Sequence, residues 1–126
     1  MQLDRLALIA CAGAIGALSR YGMQTGFNHI VGRPSVIGTL IVNLTGSFLL
    51  GLIIALTEDR FLTTGPWRTV IAVGFLGSYT TFSTLMLESV SRLEGHLIFG
   101  GLLYLTASFV LGLVAVYAGL QLGRAV

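Results

Sequence analysis

The sequence predicts an all-α membrane protein, a single domain of four transmembrane helices over residues 1–126. Three observations predict it. The chain is 55% hydrophobic and only 10% charged, with mean hydropathy +0.91, where a soluble domain carries about 25% charged residues. Four apolar runs reach the roughly 20 residues that a helix needs to cross a bilayer. The connections between them are short and leave no stretch for an extramembrane domain.

The same numbers exclude several functions. A soluble enzyme does not fit the composition, and an intramembrane one lacks a Ser/His or acid/metal set. All positive charges are Arg, they do not cluster, and the net charge is +2, so no nucleic-acid partner is expected. The lone Cys11 sits among alanines and reads as a small packing residue rather than a disulfide or metal ligand. Arg5 before an apolar run suggests a signal peptide, but the remainder of the chain is equally membrane-like, so the first run is read as a retained span.

The first span covers 3–27. Gly13, Gly16 and Ala17 suit close helix contact, which in lipid depends on small residues and interhelical hydrogen bonds. Arg20 near its far end reads first as a structural anchor and second as a draw for anions at a pore mouth. The turn 28–34 ends in Pro34, which favours a helix start.

The second span covers 35–57. Asn43 lies mid-span, one turn from Thr39, with Gly46 and Ser47 on the same side. A membrane-buried carboxamide needs partners. It is either glue between helices or a hydrogen-bond donor facing a pathway.

The third span covers 66–90, and Trp67 at its start suits an interfacial anchor. Its middle, 74–85, holds two glycines and a run of hydroxyls. Gly and Thr are poor helix formers, so the helix is expected to loosen near Gly77. Freed backbone groups in lipid cost several kcal/mol, roughly 2–7 each, and survive only in protein or beside a polar cavity. Beyond the break, Thr81, Thr84, Glu88 and Ser91 fall on one stripe. Glu88 is a functional candidate by its depth, or a helix-end ion pair with Arg92. The turn 91–96 holds His96, read like His29 as solvated.

The fourth span covers 97–122. Gly101, Tyr104, Ser108 and Gly112 form one narrow polar face. Donors thus outnumber acids across three helices. That suits a small anion better than a cation, because ring edges are positive and amide or hydroxyl donors replace part of an anion's water shell.

Four spans place both termini on one side, with Arg5, Arg60, Arg68 and Arg124. Arg33 and Arg92 lie opposite, joined by Arg20 if the first helix delivers it there. So weak a bias allows insertion in both orientations, and two opposed copies can then pair as an antiparallel homodimer.

The motifs at 13–21, 38–48 and 74–84 together resemble the Fluc (CrcB) family of fluoride channels along the whole chain. The resemblance implies a dual-topology, antiparallel homodimer in the lipid bilayer of the bacterial inner membrane, with two pores giving passive fluoride efflux and fluoride resistance. It implies a central structural Na⁺ held by backbone carbonyls of Gly77 and Thr80 from both subunits. It places Asn43, Thr39, Tyr104, Ser108 and Glu88 along the fluoride path, with a pair of ring edges. Phe82 supplies one edge. Leu85 stands where the family usually has the second phenylalanine, and a weakened anion site is expected there. The competing reading is a proton-coupled small multidrug exporter, which also has four short helices but places an essential acid in its first helix. Here that helix offers only Asp4, at its very start.

Overall fold

The computed structural model describes residues 2–58, 66–95 and 97–126. Arg60, the 59–65 connection and His96 lie outside the described residues. Those described form helices and their short connections, without strands. Four segments are long and apolar enough to cross a membrane.

The first helix runs Gln2–Val31 and the second Ile37–Glu58. Gly32 closes the first with φ 71°, a left-handed turn that glycine adopts without penalty. The turn is then pinned where Asn28 Oδ1 accepts from the Ser35 amide at 2.8 Å. The fourth helix runs Ile98–Ala125, and its packing on the second is the most extensive helix contact. Two glycines permit it. A β-carbon on Gly51 would strike the Val116 carbonyl, and one on Gly119 would strike that of Phe48. Close backbone approach of this kind is how apolar helices associate in lipid.

The third span is interrupted. It begins as an α-helical turn, Pro66–Thr69, and widens into a π-helix over Val70–Leu76. Another α-helical turn follows at Gly77–Tyr79, and a further helix runs Phe82–Glu94. Between the last two, Thr80 (φ −77°, ψ 158°) and Thr81 (φ −147°, ψ 116°) are extended. The interruption therefore falls later than the sequence suggested. Gly77 keeps helical dihedrals, and the two threonines carry the break. Before it, Phe75 and Tyr79 stack one turn apart with centroids 5.7 Å apart, which supports the widened segment.

Large apolar side chains cover the outside. Leu18 and Phe99 are 70% and 80% exposed, an arrangement that fits lipid as the surrounding solvent. Cys11 is also exposed, so on this chain it does not pack between helices as expected. The buried set is small and partly polar, including Thr39, Thr81, Ser89 and Ser108 beside Val42, Leu76 and Leu85.

Candidate functional site

The site is built around the two extended threonines. In an unbroken helix the amide of residue 81 would bond to the carbonyl of residue 77, and that of residue 84 to the carbonyl of residue 80. Both donors are diverted. The Thr81 amide donates to Asn43 Oδ1 at 2.8 Å, and the Thr84 amide to Thr81 Oγ1 at 3.3 Å. Thr81 thus caps the helix that follows it, the ordinary work of a threonine at that position. The Gly77 and Thr80 carbonyls lose their helical partners. Arg20 comes from the first helix and donates to the Thr80 carbonyl at 3.3 Å.

Asn43 makes a second bond, from Nδ2 to the Thr81 carbonyl at 3.0 Å. Its carboxamide therefore grips both backbone groups of one residue. The grip accounts for the break at this depth, since peptide groups that leave the helix ladder must find a partner in the protein. Nδ2 carries two protons, so one remains beyond the bond to Thr81. Gly46, nearly one turn after Asn43, leaves the space that Thr80 Cγ2 fills.

Beside the break lies an open groove of about 420 Å³, lined by Asn43, Gly77, Thr80, Phe82, Leu85 and Ser108 among others. Phe82 is 65% exposed while Leu85 is 6% exposed. The predicted ring edge and its leucine neighbour share this groove, with the phenylalanine turned outward and the leucine inward.

One helical turn away along each of three helices sits a second polar cluster. Thr39 Oγ1 donates to Glu88 Oε1 at 2.8 Å. Tyr104 OH donates to Glu88 Oε2 at 2.6 Å. Gln24 Nε2 donates to Thr39 Oγ1 at 3.0 Å. Arg92 does not take the carboxylate; its guanidinium carbon lies 5.9 Å from the centroid of the Tyr104 ring. Among the described residues no buried side-chain polar atom lacks a partner.

The structure thus gathers the candidates into two stacked groups. Asn43, Phe82, Leu85 and Ser108 line the groove with Gly77 and Thr80, and Arg20 reaches the break from behind. Thr39, Glu88 and Tyr104 form the neighbouring cluster. Sequence reading did not single out Gln24. The available signal was that it is a carboxamide inside an apolar span, one turn after Arg20, just as Asn43 is in the second helix. It also did not identify Asn43's partner, which is main chain and leaves no mark in residue type.

Comparison with known proteins gives a consistent result. The family described as CrcB-like protein, camphor resistance (CrcB), matches residues 7–120. A protein of Vibrio parahaemolyticus named fluoride-specific ion channel FluC is 43% identical over 121 residues, covering 96% of this chain and 95% of that one. Proteins of the same name from Solidesulfovibrio magneticus and Thermus thermophilus are 41% and 40% identical, covering 98% and 99% of this chain and 98% of each relative.

Proposed function

The chain belongs to the CrcB family, and from that premise we propose that it is a fluoride-selective channel, passing fluoride passively through the inner membrane of the cell. The observation that carries the proposal is similarity along nearly the whole chain to proteins named for that activity. The geometry supports it. Uncharged polar side chains line one groove and form one neighbouring cluster, and the carboxylate nearby is held by two hydroxyls. An essential acid in the first helix, as a proton-coupled exporter would use, is not offered by the sequence.

In this reading fluoride enters along the groove. Asn43, whose Nδ2 keeps one proton beyond its bond to Thr81, lines it together with Phe82 and Ser108. One turn on, fluoride reaches Thr39 and Tyr104, whose hydroxyl protons rest on Glu88 and would turn from the carboxylate to the anion as it passes. Leu85 offers no ring edge, so the anion seat beside it is weaker than a phenylalanine would make it. The groove is open on one side, and an oppositely oriented copy of the chain would cover it, giving a homodimer with two paths.

A Na⁺ ion at the centre of that dimer fits the donor set. Gly77 and Thr80 present carbonyl oxygens released from the helix ladder, and hard cations favour oxygen ligands. The Thr80 oxygen has a second lone pair beyond the one Arg20 uses. Such an ion would add positive charge near the anion path. The residues of this chain position the carbonyls: Asn43 and Thr81 hold the break open, and Gly46 makes room for Thr80.

The test is efflux from liposomes loaded with fluoride or chloride, followed with ion electrodes and no proton gradient. Fluoride release without chloride release is expected. Retention of fluoride, together with proton-driven movement of a cationic drug, would establish the exporter instead.

A further inference from the structure

Five of the hydroxyls within the helices bond back onto their own helix. Thr45, Thr57, Ser89, Ser91 and Ser108 all donate to the carbonyl one turn earlier in their own helix, at 2.7–2.9 Å. Such back-bonding is one resting state of Ser and Thr in helices. Thr39 does not adopt it. Its hydroxyl instead crosses to Glu88 on another helix, and its oxygen accepts from Gln24.

A hydroxyl has one proton and two lone pairs. With the Gln24 amide on the oxygen, the Thr39 proton is directed away from Gln24 and toward Glu88 Oε1. Chained hydrogen bonds polarise one another, so the Gln24 bond also strengthens the one to Glu88. The placement of Gln24 is built into the helix packing. Gly38 precedes Thr39, and a β-carbon there would lie 2.9 Å from the Gln24 α-carbon. The missing side chain lets the first and second helices meet at this level, which brings the carboxamide onto Thr39.

We propose that Gln24 is a positioning residue of the permeation path. Its amide occupies a lone pair of the Thr39 hydroxyl and fixes that hydroxyl's proton on Glu88, so that Thr39 and Tyr104 each hold one carboxylate oxygen. The role in permeation rests on the channel reading above. The orienting role rests on the geometry alone.

Two readouts separate them. Gln24→Leu keeps the bulk beside Gly38 and removes the donor. Gln24→Glu keeps the shape, and its ionised form accepts the Thr39 proton instead of directing it onward. Infrared bands of the Glu88 carboxylate, assigned by their loss in Glu88→Gln, are expected to shift in both variants. Thr39→Val should shift them likewise, and Gln24→Leu should add nothing in that background. Fluoride efflux should fall about 3–10-fold in Gln24→Leu, the rate equivalent of one ordinary net hydrogen bond. It should not fall further when Gln24→Leu is added to Thr39→Val. Gly22→Ala, with nothing within 4 Å of the added carbon, serves as the first-helix control.

Wild-type bands in Gln24→Leu overturn the orienting role. So do losses that add to those of Thr39→Val, which would make Gln24 plain packing. If wild-type vesicles hold their fluoride, the channel reading fails, and the infrared comparison still decides whether Gln24 orients Thr39.

Discussion

Replacing Asn43 with Ala removes both bonds that hold Thr81, from Nδ2 to its carbonyl at 3.0 Å and from its amide to Oδ1 at 2.8 Å. Thr81 is buried, so water does not readily replace the carboxamide. Leaving a buried polar group unmatched costs about 1–3 kcal/mol, and two such groups set an upper range of about 2–6 kcal/mol. Relief is available, because the Thr81 amide can return to the Gly77 carbonyl and heal part of the break. A net loss of about 2–4 kcal/mol is expected, or a fall in melting temperature of roughly 5–15 °C for a chain of this length. Thermal unfolding of the purified protein in detergent measures it, and fluoride efflux from liposomes should fall in parallel. Cys11→Ala is the control, since Cys11 is exposed. If Asn43→Ala melts and conducts like the parent while Cys11→Ala does not, the grip on Thr81 does not hold the break, and the role assigned to Asn43 is wrong.

Four further outcomes are expected. Gly119→Val drives a side chain into the Phe48 backbone and should cost at least the roughly 1–3 kcal/mol typical of overpacking, seen as a lower melting temperature. Tyr104→Phe removes the 2.6 Å bond to Glu88; it should lower fluoride efflux about tenfold, near the value of a hydrogen bond to a charged group, while leaving the elution volume on size-exclusion chromatography that of the parent. Leu85→Phe adds a ring edge to the groove it lines and should raise fluoride efflux, and equal flux would remove the role assigned to that edge. If the proposed dimer shares a Na⁺ on the Gly77 and Thr80 carbonyls, replacing Na⁺ by a large organic cation throughout purification should weaken it, read by light scattering.

Much of this was legible in the residues, for identifiable reasons. Four spans follow from apolar length alone. The stripe Gly101, Tyr104, Ser108 and Gly112 follows from helical spacing, and all but Gly112 are buried. The break was legible as a local weakness in the third span, but its position was not. Propensity pointed to Gly77, whereas Asn43 and the cap at Thr81 moved the extended residues to Thr80 and Thr81. The π-helix over Val70–Leu76 was not legible in the sequence, because apart from Gly74 its residues are ordinary apolar ones. Gln24 was passed over because its significance depends on Gly38, which no spacing within the first helix reveals.

The grip of Asn43 on Thr81 also constrains the order in which the protein can assemble. The bond joins residues 38 positions apart, on separate spans. Before they meet, the third span has no partner for the Thr81 amide and carbonyl outside a helix, and lipid offers none. It must therefore enter the bilayer as a continuous helix and open only when the second span docks. The interruption is a product of tertiary folding rather than of insertion, and a peptide of this span alone would stay straight in a membrane.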